Sequence, residues 1–261
     1  MLGKLMKYEF IAMGRIFLPM FGALIIISIV NAILGRLGLT TPQVIAIVVS
    51  VLIIVGILII VYVLTIQRFW TNLMSNEGYL MMTLPVSVDK LILSKLFVAT
   101  IWSIISTIVV IVAVIIMASA EVNIIRELVE FGIFSQIPLA GHEIALLLFG
   151  TAVMAIIASF ANILLIYACM ALGMMVNKYR ILVAVGSYIA ITTIMQIVAT
   201  VTIFLISALG GLEAIDRWAN NLTTYGGMNA MIWMITGISL VLCAVFYLVT
   251  RFMMSRRLNL Q

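Results

Sequence analysis

The chain has 261 residues, of which 66% are hydrophobic and 9% charged. Soluble domains carry about a quarter charged residues and about half apolar ones, so a water-soluble fold of this size is excluded. The net charge of +5 does not point to nucleic acid either, because the basic residues cluster beside apolar runs, where the positive-inside effect accounts for them.

Residues 1–15 interleave Lys4, Lys7 and Arg15 with Leu2, Leu5, Met6, Tyr8, Phe10 and Ile11, the pattern of an amphipathic helix on a membrane surface. A signal peptide is the competing reading. The apolar run that follows is long for an h-region and has no obvious small-residue cleavage site, so a retained first span is expected. A helix needs about 20 mostly apolar residues to cross the hydrocarbon core. Six stretches supply a span each: 16–34, 43–66, 96–119, part of the uncharged run 144–177, much of 181–212, and 230–250. Pro42 stands near the start of the second, where proline is tolerated. Between the third and fourth spans, Val122, Ile125, Leu128 and Val129 recur at helical spacing opposite Glu121, Asn123, Arg126, Glu127 and Glu130, so a short interfacial helix is predicted within 120–143. The segment 210–229 is bracketed by Gly210-Gly211 and Gly226-Gly227, residues suited to sharp turns, and a short helix between two bends is predicted there.

Charge orients these spans. One set of loops and tails holds Lys4, Lys7, Arg15, Arg68, Lys90, Lys95, Lys178, Arg180, Arg251, Arg256 and Arg257; the other holds only Arg36, Arg126 and Arg217. The bias assigns the first set to the cytoplasm and predicts six spans with both termini inside. No acid or base lies deep in any predicted span, where ion-coupled carriers commonly keep a working group. Inverted repeats with short broken helices, the sign of many secondary transporters, are not visible either.

The predicted cytoplasmic connection 67–95 is the most informative stretch. It is long for a turn and rich in apolar and aromatic residues, with Phe69, Trp70, Leu73 and Met74 on one helical face. Gly78 permits a bend, Pro85 disfavours helix at Leu84, and Ser87 with Asp89 suits the start of the next helix. Two readings compete: a helix resting on lipid headgroups, and a docking element for a cytoplasmic partner.

The runs Glu77-Gly78-Tyr79-Leu80, Thr83-Leu84-Pro85-Val86-Ser87 and Lys90-Leu91-Ile92-Leu93-Ser94-Lys95-Leu96 resemble the permease subunits of bacterial type-2 ABC exporters of the Gram-positive kind. The opening Lys4-Leu5-Met6-Lys7-Tyr8-Glu9-Phe10, followed by Gly14-Arg15, is similar to their N-terminal helix. The resemblance implies a division of labour. Two permeases, identical or similar chains, form the transport path, and a separate ATPase subunit, binding ATP and magnesium, sits under each. It further implies that Thr71, Asn72, Leu73, Met74, Ser75, Asn76, Glu77, Gly78, Tyr79 and Leu80 form the coupling helix that meets the ATPase. The chain has no Gly-x-x-x-x-Gly-Lys-Ser/Thr loop to cradle phosphates, so ATP would have to be used by another polypeptide.

Other constellations carry less. His142-Glu143 is one histidine beside one acid, short of the three protein ligands of a catalytic zinc site. Cys169 and Cys243 both lie in apolar segments and suggest neither a disulfide framework nor a metal site. The methionines read as flexible packing. Tyr188, Thr192, Gln196 and Thr200 recur every four residues and so form one stripe on span five; Ser159 and Asn162 share a face of span four. Interhelical hydrogen bonding and lining of a substrate path both account for these groups. Ala155, Ala158 and Ala161 are expected to admit a neighbouring backbone.

The sequence therefore predicts an all-α integral membrane protein with an amphipathic N-terminal helix, and the resemblance implies that residues 1–261 form a single permease domain with no enzymatic activity of its own. The resemblance implies residence in a bacterial plasma membrane and a peptide, drug or lipid as cargo. A sensory or structural membrane protein that docks a partner without transport, and a carrier driven by an ion gradient, are the alternatives.

Overall fold

The computed structural model describes residues 2–74, 88–119, 141–176, 179–221 and 225–256. Among these residues the chain is entirely helical outside short turns: α1 (Leu2–Arg36), α2 (Thr40–Met74), α3 (Val88–Ala118), α4 (Gly141–Gly173), α5 (Arg180–Asn221) and α6 (Tyr225–Arg256). Each contains a stretch long and apolar enough to cross a membrane, with mean hydropathy from 2.1 to 3.6. The isoleucine- and valine-rich runs that favour strands in water form helices because a helix satisfies every backbone group within its own segment, as hydrocarbon demands. Buried hydroxyls follow the same rule. Ser28, Ser50, Thr65, Thr100 and Ser106 each donate to the carbonyl four residues back, at 2.7–2.9 Å.

The chain divides into two compact units, residues 1–136 and 137–261. In the first, α1 packs on both α2 and α3. Its buried face, Met13, Phe17, Phe21 and Leu24, meets Ile57 and Leu64 of α2 and Val98, Trp102 and Ala113 of α3. Asn31, fully buried, donates to Met117 Sδ at 3.5 Å and links α1 to α3 toward their other ends. The turn from α1 to α2 is a Schellman cap. Gly38, at φ +68°, takes the left-handed position, Leu39 N–H donates to Leu34 O, and Gly38 N–H donates to Gly35 O, both at 3.1 Å.

In the second unit α4 is central, packed on α5 and α6. It is buried on every side from Ile163 to Ala171. Gly173 ends α4 against the start of α5: a Cβ there would lie 2.6 Å from Arg180 O and 2.9 Å from Ala184 Cβ. Only glycine fits that approach. Gly150 meets Ile232 of α6, where a Cβ would stand 3.2 Å away. These glycines, rather than the alanine row, make the close approaches; Ala161 is buried, whereas Ala155 and Ala158 are exposed.

Three boundaries differ from those read in the sequence. α1 is one unbroken helix, so the amphipathic residues 2–15 continue directly into the first span. α5 runs through Gly210-Gly211 for 42 residues without the expected bend. Glycine permits a bend but does not compel one; inside a helix it costs only about 1 kcal/mol relative to alanine. Gly226-Gly227 falls within the first turn of α6. The expected coupling helix begins as the last turn of α2, Thr71 to Met74. Ser75, Asn76, Glu77, Gly78, Tyr79 and Leu80 lie outside the described residues, as do residues 120–140, where a short interfacial helix was expected.

Candidate functional site

The site is built at the end of the first unit where α1 begins, α2 ends and α3 begins. Glu9 projects from α1 between the other two helices. Its Oε1 accepts a hydrogen bond from Lys95 Nζ of α3 at 2.5 Å, and its Oε2 stands 4.0 Å from Arg68 Nη1 of α2. The side chains are 12% exposed for Glu9, 4% for Lys95 and 32% for Arg68. Lys95 therefore depends on Glu9 for its counter-charge, while Arg68 keeps access to solvent. Removing one partner of a buried pair costs about 3–5 kcal/mol, because the other charge is left unpaired.

An aromatic stack adjoins this cluster. Trp102 lies two helical turns beyond Lys95 on α3, and its ring stacks on Phe10 at 4.7 Å and on Phe17 at 5.0 Å, with Phe21 at 6.2 Å. The ring fits because α1 carries Gly14 opposite it; a Cβ there would come 3.1 Å from Trp102 Cζ2. The indole N–H is buried without a hydrogen-bond partner among the described residues. Glu9 and Phe10 are neighbours in α1, so one turn of that helix bears both the ionic contact and the edge of the stack.

Helix length places the cluster along the membrane normal. α1 has 35 residues, roughly 52 Å at ~1.5 Å per residue, against ~30 Å of hydrocarbon. Counted back from Arg36, the hydrocarbon is spent near Ile16, and Glu9 stands about 10 Å beyond it. Counted back from Ala118 in α3, it is spent near Val98, leaving Lys95 about 4–5 Å beyond. The ionic cluster thus lies toward the ends of the three apolar helices, and Trp102 two turns further in along α3. Sequence reading missed the cluster because Arg68 and Lys95 were weighed as loop charges and Glu9 only as part of the N-terminal run that resembles the permeases. The available signal was an acid inside an otherwise basic amphipathic segment, which needs a partner once that segment packs.

Of the residues singled out by sequence, Phe69 is fully buried and Trp70 partly so, next to Arg68 at the end of α2. In the second unit Tyr188, Thr192, Gln196 and Thr200 do form one stripe on α5. Thr192 and Thr200 donate to the carbonyls four residues back, Tyr188 O at 2.8 Å and Gln196 O at 2.9 Å. Tyr188, Gln196 and Thr200 are exposed. On α4, Ser159 donates to Ala155 O at 2.8 Å and Asn162 is exposed. No hydrogen bond among the described residues joins the α4 pair to the α5 stripe, so the structure does not bring the two groups into one polar site. His142 begins α4 as an exposed residue, and no group of three or more His, Cys, Asp or Glu that would hold a metal occurs among the described residues. Cys169 and Cys243 are both free thiols.

The chain matches no protein-family model, no curated protein and no solved structure. One carboxylate gathers cations from two other helices, and an aromatic stack carries that junction toward the hydrocarbon.

Proposed function

We propose that this multi-pass membrane protein is the permease subunit of an ATP-driven exporter of the type-2 ABC kind, resident in a bacterial plasma membrane. With a second permease, the same or a similar chain, it forms the path for a hydrophobic or amphipathic cargo: a peptide, a drug or a lipid. Separate ATPase subunits bind ATP and magnesium. Their closure moves the coupling segments together, the spans tilt, and the path opens outward. The observation that carries this reading is the resemblance of residues 77–96 to the coupling region of such permeases. The six long apolar helices supply the spans it requires.

The ionic cluster does not favour an ion-gradient carrier. Glu9, Arg68 and Lys95 pair with one another at the end of their spans, whereas a carrier keeps its working charge near mid-depth. The reading is tested by purifying the detergent-solubilised chain with its native partners. A cassette ATPase should co-purify in about equal amount, and its hydrolysis should rise with candidate cargo. Recovery of the chain without any nucleotide-hydrolysing partner, under conditions that preserve other membrane complexes, would remove the exporter reading.

Orientation has its own test. On a background lacking Cys169 and Cys243, single cysteines at Glu130 and Asn220 should react with an impermeant maleimide added to sealed cells. Cysteines at Asn76 and Asn259 should react only after the cells are opened. Labelling of Asn76 from outside would refute the assignment of the basic side to the cytoplasm.

A further inference from the structure

We propose that Glu9 is a positioning residue that ties the end of α2 and the start of α3 to α1, so that these three helix ends move as one body and a displacement of the α2 and α3 ends is delivered to Trp102. The tie stands on geometry alone; delivery of a partner's push through it rests on the docking role proposed above. Each Glu9 oxygen faces a different helix, Oε1 toward Lys95 of α3 and Oε2 toward Arg68 of α2. These are the two helices whose ends flank residues 75–87. Without Glu9, Lys95 and Arg68 would be two cations brought close on adjacent helix ends, which repel. With it, each is drawn to the same point on α1. The next residue, Phe10, lies on Trp102, and Gly14 lets α1 approach that ring closely. A shift of α1 at Glu9 therefore cannot occur without moving the stack, because close-packed rings have no slack to absorb it.

The burial asymmetry makes the tie separable. Lys95 is almost wholly enclosed, whereas Arg68 is a third exposed. Loss of Glu9 releases both helix ends. Loss of Arg68 releases only α2 and leaves the Glu9–Lys95 pair in place. Exchanging the charges, with Glu9→Lys and Lys95→Glu together, restores the α1–α3 pair but sets a lysine on α1 against Arg68, so the tie of α1 to α3 is recovered and its tie to α2 is not.

The test uses the full chain in lipid nanodiscs, on a background lacking Cys169 and Cys243. Paired spin labels are placed at Lys7, Gln67 and Lys90, exposed positions on α1, α2 and α3. In the parent protein the three label pairs should each give one narrow distance distribution. Glu9→Gln should broaden all three. Arg68→Gln, at a partly exposed site, should broaden only the two that involve Gln67. The charge exchange should return the Lys7–Lys90 pair to its parent width and leave the Lys7–Gln67 pair broad. A purely structural requirement for a carboxylate at position 9 would give no such selective recovery. Unchanged Gln67–Lys90 widths in Glu9→Gln, or, should that variant fail to fold, in Arg68→Gln, overturn the tie. Delivery is read separately, as cargo-stimulated hydrolysis by a co-purified cassette ATPase. Arg68→Gln should keep the ATPase bound and lose most of the stimulation, and full stimulation overturns delivery. If no ATPase binds the parent chain, the exporter reading fails, while the distance results still decide the tie.

Discussion

Trp102→Ala should destabilise the first unit by about 3 kcal/mol, the low end of the range for deleting a large buried aromatic. The ring is 4% exposed and lies against Phe10, Phe17 and Phe21. In lipid the surroundings are themselves apolar, so the loss comes from the cavity and the forfeited dispersion contacts rather than from exposure to water. Stacked aromatic pairs add about 0.5–1.5 kcal/mol each beyond area. For a chain of this size that loss lowers the unfolding temperature by roughly 6–12 °C, measured in detergent by intrinsic fluorescence or by size-exclusion after heating. A decrease under about 2 °C would show that the stack contributes little. Gly14→Ala should also destabilise, because its Cβ would press on the Trp102 ring at 3.1 Å. A smaller ring relieves that pressure, so Gly14→Ala with Trp102→Phe should be less destabilised than the sum of the two single changes. That non-additivity identifies the contact as direct.

The spans were legible because hydropathy is a bulk property. In hydrocarbon the backbone has few solutions, and an apolar run of sufficient length becomes a helix whatever its β-branched content. The start of α3 was legible as well: the helix is described from Val88, with Asp89 in its first turn. What sequence did not supply was pairing. The residues of α1 at 2–15 have an amphipathic pattern that suits a lipid surface and a protein partner alike. The structure resolves the ambiguity because Glu9, Met13 and Phe17 face α2 and α3, while Tyr8 and Ile11 remain exposed. Gly210-Gly211 misled for a similar reason. Glycine reports what a backbone is free to do, and in α5 that freedom is not used. Gly14 and Gly173 carry the opposite lesson. Their value lies in what approaches them, Trp102 in one case and the Arg180 carbonyl in the other, and no local pattern names that neighbour. The polar stripe of α5 was legible as a stripe from its spacing. Its role was not, since Thr192 and Thr200 are satisfied within their own helix, Thr200 on the Gln196 carbonyl itself.

Replacing Leu73 and Tyr79 together by aspartate should uncouple the chain from its ATPase while leaving the spans inserted. Leu73 lies in the last turn of α2, and Tyr79 follows in the stretch that resembles the coupling region. Buried aromatic anchors commonly contribute ~2 kcal/mol or more to an interface. A carboxylate placed at such a contact either stays solvated, opening the interface, or is buried unpaired at a cost of several kcal/mol. Two such changes should weaken binding by about a hundredfold or more, since each 1.4 kcal/mol is a factor of ten. Both positions lie beyond the apolar stretch of α2, so insertion and the packing of Trp102 should persist. The variant should be recovered from membranes at parent level, with a parent unfolding temperature, but without a bound cassette ATPase or without cargo-stimulated hydrolysis. Glu9→Gln provides the contrast: it alters the mounting of the α2 and α3 ends rather than the docking surface, so hydrolysis should become uncoupled while binding remains. If the doubly substituted chain binds the ATPase and transports as well as the parent, residues 71–80 are a surface helix on the headgroups, and the exporter reading loses its main support.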